Sequence, residues 1–137
     1  MVCPICGGNA EVSNSRKRRD GFSVWRRRRC RNCSNVFTTV EQIATESIIA
    51  FEAAEGGLKP LRRSDVYVSV FKALGGLRTA SLTAEQLTLT CFDKILGERT
   101  AVLEQRTIEK HIFETLSAYQ SLAGQRYLLN ELGRTAV

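Results

Sequence analysis

Apolar and polar residues follow different patterns in the two parts of this chain. In roughly the first 40 residues, short stretches rich in β-branched and aromatic residues lack helical spacing, and three of them predict strands, at 11–13, 22–25 and 36–39. Asp20 and Gly21 separate the first two stretches, and glycine tolerates the positive φ of a hairpin turn. A segment of this size buries too little apolar surface to fold by that alone, so a further constraint must hold it together.

Helical spacing of apolar residues begins beyond residue 47. Residues 47–51 predict a short apolar strand, and the sequence Glu55-Gly56-Gly57 predicts a turn after it. Four helices are then predicted from apolar residues at three- and four-residue steps, at 64–74, from 83 to 97, from 107 onward and at 120–132. Gly75 and Gly76 are expected to end the first helix, because glycine commonly follows a helix C-terminus.

Two of the predicted helices carry specific signals. Thr83 has Gln86 three residues further on, which is the capping-box arrangement, so Thr83 is the expected N-cap of the second helix. The apolar residues expected to face the core on the fourth helix are Leu122, Tyr127, Leu128 and Leu132.

The positive charge is concentrated at one end of the chain. The 137 residues include 20 Lys and Arg against 14 Asp and Glu, for a formal net charge of +6. Residues 1–40 hold nine basic and two acidic residues, whereas residues 41–137 are nearly neutral. This asymmetry favours a polyanion-binding module joined to a neutral one. There is no run of about 18 apolar residues and no basic-then-apolar leader, so we expect no membrane span and a cytoplasmic protein.

Four of the five cysteines form two Cys-x-x-Cys pairs, namely Cys3 with Cys6 and Cys30 with Cys33. Two such turns brought together by a hairpin complete a tetrahedral set of sulfurs, which Zn²⁺ favours and which leaves no position for a substrate water. We therefore expect a structural Zn²⁺. Four reduced core cysteines and a redox Cys-x-x-Cys are the alternatives, and two opposed pairs without a βαβ pattern fit both less well. Cys91 and His111 are isolated, and neither is assigned a role.

Basic residues crowd the two strands of the predicted hairpin. Lys and Arg clusters bind phosphates, and arginine also reads guanine. The candidate DNA-binding residues are Arg16, Lys17, Arg18, Arg26, Arg27, Arg28 and Arg29. Because alternate residues of a strand point to opposite faces, both faces are expected to be cationic, and loss of Arg26 and Arg28 is expected to abolish DNA binding. A solvated face or an acidic protein partner is the alternative.

Phe22 and Trp25 lie beside these charges. Either aromatic ring can stack on a base or cover the small core of the hairpin. Core packing is the interpretation that we favour, since the segment has few other large apolar residues.

Several of these features occur together in a known family. The first part of the chain resembles the NrdR-type bacterial transcriptional repressors at Cys3–Gly8, Ser15-Arg16, Asp20-Gly21, Arg26–Arg28, Cys30–Cys33 and Phe37–Glu41. The second part keeps the order and spacing of that family's ATP-cone domain more loosely, at Ile48–Phe51, Gly56, Lys59–Leu61, Lys72–Leu74 and Leu82–Gln86. The resemblance implies repression of ribonucleotide reductase genes and homo-oligomers whose geometry responds to ATP or dATP.

We therefore expect an α+β protein of two domains. Residues 1–45 form the zinc-ribbon DNA-binding domain, and residues 46–137 form a mostly helical, ATP-cone-like regulatory and oligomerisation domain with a short β-hairpin. The join lies near residues 41–46.

The cone-like part departs from the family at two positions. By the resemblance, Ala53 and Asp65 each stand where a phosphate-binding lysine is usual. Losing two cations and gaining an anion weakens triphosphate binding, because charge-assisted contacts are among the stronger ones. The remaining candidate nucleotide-binding residues are Lys59, Arg62 and Arg63, provided that they converge on one pocket. Nucleotide sensing is thus expected to be altered or lost while DNA binding persists.

Three classes of function were compared. A zinc-dependent, sequence-specific repressor that binds double-stranded DNA as a homo-oligomer accounts for most features. A zinc-ribbon adaptor that binds an acidic part of the transcription machinery is the alternative, and sequence preference among duplexes separates the two. An enzyme is not expected, because the chain lacks paired carboxylates in motif spacing, a Ser-His-Asp set, a phosphate-cradling glycine loop and an open metal site.

Overall fold

The computed structural model describes residues 1–19, 21–75 and 80–135. The chain divides into two compact units, Met1–Ile43 and Ala44–Val137. The first is built of strands and the second mostly of helices, so the predicted α+β class is confirmed. Within the described residues, no helix is long and apolar enough to cross a membrane.

The first unit is a three-stranded antiparallel sheet. Its strands are β1 (Ala10–Lys17), β2 (Ser23–Cys30) and β3 (Val36–Gln42), with β2 in the centre. All three predicted strands are present and extend further than the short apolar stretches indicated. Gly21 has a φ of 77°, as a tight turn requires, whereas Asp20 lies outside the described residues.

The second unit contains a small sheet of three short strands. These are β4 (Ala50–Glu52), β5 (Leu58–Pro60) and β6 (Val102–Glu104), and β4 pairs antiparallel with β5 and parallel with β6. The expected hairpin is therefore extended by a strand that the sequence pattern did not predict. Strand β6 has only three residues, of which Leu103 alone is buried, so it shows no alternation of apolar and polar residues. Its partner strand β4 is also remote in the sequence.

Four helices pack against one another beside this sheet: α1 (Arg63–Leu74), α2 (Ala80–Gly97), α3 (Gln105–Tyr119) and α4 (Ser121–Thr135). Their shared core contains fully buried large side chains, among them Leu74, Phe92, Ile95 and Leu116. Gly75 caps α1 in the left-handed region with a φ of 57°, as predicted, and Gly76 lies outside the described residues.

The predicted N-cap of α2 is wrong. Thr83 lies inside the helix, which already includes Ala80. Ala80 is buried in the core together with Ala84, one turn later. Tertiary burial of these small residues thus extends the helix beyond the local capping-box signal.

The predicted core face of α4 is also mostly wrong. Tyr127 is buried, but Leu122, Leu128 and Leu132 are all exposed. Ala123 is fully buried instead, and Gly124 lies against Ser117 of α3. The α3 and α4 backbones lie so close together that only small residues of α4 fit between them. The spacing of apolar residues along the sequence does not show this.

Substitution of Gly124 with alanine should destabilise the helical unit. The added Cβ would clash with Ser117 Oγ and lie 3.2 Å from Ser117 Cα, so the helices must separate slightly. We expect a loss of about 1–3 kcal/mol in the free energy of unfolding, measured by urea denaturation. Gly133→Ala is the matched control, since a Cβ there meets nothing within 4 Å and should stabilise α4 by about 0.5 kcal/mol. Equal effects of the two substitutions would contradict the close-contact explanation.

Candidate metal centre and nucleic-acid interface

The four paired cysteines meet at one end of the three-stranded sheet. Their sulfurs all lie within 4.8 Å of one another. Cys3 Sγ is 3.7 Å from Cys33 Sγ, and Cys6 Sγ is 3.5 Å from Cys30 Sγ. Four sulfurs bound tetrahedrally at about 2.3 Å from Zn²⁺ stand roughly 3.8 Å apart, so the observed spacing fits this metal.

Both Cys-x-x-Cys turns have the same backbone form. The residue after each second cysteine has positive φ, Gly7 at 71° and Ser34 at 60°. Each turn directs backbone N–H groups at its first sulfur: Ile5 N donates to Cys3 Sγ at 3.4 Å, and Asn32 N donates to Cys30 Sγ at 3.4 Å. These hydrogen bonds stabilise the thiolate form that a metal requires.

The pKa values of Cys6 and Cys33 are shifted in opposite directions. The backbone N–H of Gly8, followed by the Asn32 side chain, lowers the pKa of Cys6 to about 6. The backbone N–H of Asn35 lowers the pKa of Cys33, but the neighbouring sulfurs, Cys6 first among them, and burial raise it overall to about 12. Four thiolates at this spacing repel one another, and a bound dication is what allows all of them to be deprotonated.

The site therefore suits a structural Zn²⁺. Cys3 and Cys30 are buried, whereas Cys6 and Cys33 are exposed, and all four lie outside any disulfide. A bound Zn²⁺ would supply folding energy, since the sheet itself buries little more than Ala10, Ser23 and the two inner cysteines.

The two faces of β2 present its arginines differently. Trp25, Arg27 and Arg29 are exposed, while Arg26 and Arg28 are half-buried on the opposite face. The pairing register of β2 with β1 and β3 places residues of those two strands on each face as well. We call the set Glu11, Arg16, Trp25, Arg27, Arg29, Val36 and Val40 the Trp25 face, and the set Ser15, Lys17, Arg26, Arg28, Thr39 and Glu41 the Arg26 face.

On the Arg26 face, the arginines are already bound by protein groups. Arg26 Nε and Nη2 donate to Glu41 Oε2 at 3.0 and 2.8 Å, and Arg26 Nη1 donates to Ser15 Oγ at 3.2 Å. Arg28 Nε donates to Thr39 Oγ1 at 3.0 Å. The charge of Arg26 is thus largely neutralised within the sheet.

The Trp25 face carries the available cations. Among the described residues, Arg27 and Arg29 form no ion pair, and Arg16 lies opposite Trp25 in the register. Trp25 has 52% of its surface exposed, so the expectation that it covers the core is wrong. The indole therefore lies in solvent, on the same face as Arg27 and Arg29.

The remaining basic candidates lie near the hairpin end. Lys17 closes β1 opposite Val24, on the Arg26 face. Arg18 follows the strand, and its backbone N–H donates to Ser23 O at 3.0 Å. The structure therefore brings all seven candidates onto one ribbon but divides them between its two faces.

Comparison with known proteins agrees with this geometry. Residues 1–41 match a family model described as the N-terminal domain of NrdR-like transcriptional repressors. The N-terminal unit is an NrdR-like zinc ribbon. The resemblance drawn from the cysteines and arginines is thereby confirmed.

The similarity to known proteins covers different parts of this chain in different relatives. The Carboxydothermus hydrogenoformans protein is 36% identical over 53% of this chain and 47% of its own length. The Herpetosiphon aurantiacus protein is 33% identical over 75% of this chain and 63% of its own length. The Novosphingobium aromaticivorans protein is 28% identical over 93% of this chain and 80% of its own length. The chain thus spans about half the length of the first of these.

All three relatives are named transcriptional repressor NrdR, which is not an enzyme name. These names agree with the expectation that this chain is not an enzyme.

The helical unit that follows the NrdR-like ribbon in the sequence has a cavity of about 410 Å³. Ala53 and Asp65, the two positions at which a lysine was expected, both line it, as does Lys59. Arg62 and Arg63 do not belong to its lining, and Arg63 Cζ lies 5.1 Å from the centroid of the Phe92 ring instead. The three candidate nucleotide-binding residues therefore do not converge on this cavity.

Cys91 and His111 are both accounted for by packing. Cys91 is fully buried in the core, and burial raises the pKa of its thiol. His111 Nε2 lies 2.6 Å from Glu98 Oε1, which joins α3 to the end of α2.

Substitution of Cys91 tests this packing role. Cys91→Ser buries a hydroxyl in an apolar core and should lower the free energy of unfolding by about 1–3 kcal/mol, with zinc content unchanged. Cys91→Ala leaves only a small gap and should cost less. Urea denaturation and metal analysis of both variants check this expectation. Loss of zinc on either substitution would contradict it.

Proposed function

We propose that this chain is a zinc-dependent transcriptional repressor whose NrdR-like ribbon binds double-stranded DNA in the cytoplasm. The observation that carries the proposal is the Trp25 face, where Arg27 and Arg29 extend beside an exposed indole, and where Glu11, the acidic residue opposite Arg29, is ion-paired with Arg31. Guanidinium groups aligned along one strand suit phosphates and the guanine edge in the major groove.

The aromatic and β-branched residues of the Trp25 face complement its charges. Trp25 pairs with Val40 in the register, and both are exposed, as is Val36 beside Arg29. Apolar groups of this kind contact thymine methyl groups and sugars, which adds sequence preference to a charge-based affinity.

The resemblance supports finer proposals about regulation. We propose ribonucleotide reductase genes as the target and residues 46–137 as the part that assembles copies of the chain. A single ribbon offers a small contact area, so pairing ribbons raises affinity by avidity. Control of this assembly by ATP or dATP is proposed to be altered or lost, since Ala53 and Asp65 line the cavity in place of cations.

Fluorescence anisotropy with labelled duplexes tests the DNA-binding proposal. The zinc-loaded protein is titrated with promoter duplexes of ribonucleotide reductase genes and with scrambled duplexes of equal composition, at several salt concentrations. We expect tighter binding to the promoter duplexes by a factor of about 10³ or more. Equal affinity for both sets at every salt concentration would contradict a sequence-specific repressor.

A second candidate function is an adaptor that binds an acidic protein of the transcription machinery. The exposed Trp25, Val36 and Val40 favour it, because aromatic and apolar residues next to arginine are typical of protein interfaces. The same titration separates the two functions, since an adaptor has no sequence preference among duplexes.

A further inference from the structure

The cavity of the helical unit lies between the small sheet and three of the helices. Phe51 and Leu61 contribute from the sheet side, Ile108 and Ile112 from α3, and Tyr127 from α4. Its volume of about 410 Å³ lies within the range of small-molecule sites. Size alone therefore does not prevent a nucleoside from entering.

The charged groups of this cavity are mainly acidic. Its lining includes four carboxylates, contributed by Glu55, Asp65, Glu109 and Glu131, and one cation, Lys59. The described lining thus has a formal net charge of −3.

The single cation is not available to a ligand. Lys59 Nζ donates a hydrogen bond to Glu55 Oε1 and forms an ion pair with it. This hydrogen bond is also the main reason that the pKa of Glu55 lies below its usual value. Glu55 and Lys59 therefore neutralise each other at the cavity, and the other charged groups of its described lining are the carboxylates of Asp65, Glu109 and Glu131.

A nucleoside triphosphate does not fit this lining. Its phosphates need cations or convergent N–H donors, and here they would lie among carboxylates that repel them. Ala53 and Asp65, which both belong to the lining, provide a methyl group and a negative charge.

We infer that this cavity excludes ATP and dATP by charge rather than by size, and that Asp65 and Glu109 are main determinants of the exclusion. Triphosphates are thus not expected to bind in this cavity. The affinity of the cavity for adenine compounds should fall as their negative charge rises, so that adenosine is disfavoured least and ATP most.

Calorimetric titration of the full zinc-loaded chain, without DNA, tests this inference. The ligands are ATP, dATP and adenosine, and the cavity variant is Asp65→Lys combined with Glu109→Gln. Every protein in the comparison also carries Arg27→Ala and Arg29→Ala, so that these exposed arginines of the ribbon do not bind the phosphates. Asp65 is exposed and Glu109 half-buried, so both changes are compatible with the fold. The control variant, Glu85→Lys combined with Glu114→Gln, makes the same change in charge at exposed positions outside the described lining of the cavity.

The protein with the wild-type cavity should bind ATP and dATP no more tightly than adenosine. The cavity variant should gain at least about tenfold in affinity for ATP and dATP, with adenosine unchanged, because one charge-assisted contact replaces a repulsion. The control variant should gain nothing.

Three results would overturn the inference. The first is binding of ATP by the wild-type cavity that is tighter than its binding of adenosine. The second is an equal gain in the control variant, and the third is no gain in a cavity variant whose circular dichroism matches that of the protein with the wild-type cavity. For a variant that fails to fold, Asp65→Asn with Glu109→Gln serves instead, with a smaller gain expected. DNA binding does not enter these measurements, so they can fail independently of the proposed repressor function.

Discussion

Replacing Cys30 with serine is expected to abolish stoichiometric zinc binding and unfold the ribbon. Cys30 is 1% exposed, and its sulfur accepts backbone hydrogen bonds while contacting Cys6 Sγ at 3.5 Å. Three thiolates hold Zn²⁺ far less tightly than four, and in a unit this small metal binding and folding are one equilibrium. DNA affinity should fall by a factor of about 10³ or more, down to non-specific binding.

The helical unit should survive this substitution. Its core of Leu74, Phe92, Ile95 and Leu116 lies within the second compact unit. Metal analysis, circular dichroism and anisotropy on the same sample are the measurements, and Cys91→Ala is the control for loss of a buried thiol. Full zinc content in the Cys30→Ser protein would contradict the four-cysteine site.

Substitution of Arg27 and Arg29 with alanine is expected to weaken DNA binding much more than substitution of Arg26 and Arg28. Arg27 and Arg29 are exposed on the Trp25 face, whereas Arg26 is paired with Glu41 and Arg28 is bonded to Thr39. Loss of two phosphate contacts should lower the slope of log affinity against log salt concentration by about 2. Affinity should fall by a factor of about 10².

The double variant on the Arg26 face is the matched control, since it removes the same charge from the same strand. Its effect on affinity should be no more than about tenfold, because both guanidinium groups are half-buried and donate hydrogen bonds to Glu41 or Thr39. The sequence predicted that Arg26 and Arg28 are essential for DNA binding. The structure favours Arg27 and Arg29 instead. A larger effect on the Arg26 face, with zinc content intact in both variants, would mean that the other face meets DNA.

The metal site was predictable because it depends on local spacing. Each Cys-x-x-Cys turn places its two sulfurs on the same side of the turn, whatever surrounds it. The hairpin between the two turns then brings the two pairs of sulfurs together. The same applies to Gly75, where a left-handed residue must end α1.

The arrangement of the second unit was less predictable because it depends on remote contacts. Strand β6 forms only by parallel pairing with β4, where Ala50 meets Val102. On α4, Ala123 and Gly124 are selected by the closeness of α3, so three leucines that look like core residues remain exposed. Apolar periodicity reports which residues can be buried, and it does not report which neighbouring surface will bury them.

Residue types and their spacing were therefore sufficient for the four zinc ligands, the basic ribbon and the α+β class. The tertiary structure decided which arginines are available, because the strand register alone places Glu41 next to Arg26 and leaves Arg27 beside Trp25. It also decided the charge of the cavity, since Asp65, Glu109 and Glu131 come from three different helices. Both outcomes depend on which distant residues the fold brings together. Contacts between distant segments stabilise that arrangement, and a local stretch of sequence does not show them.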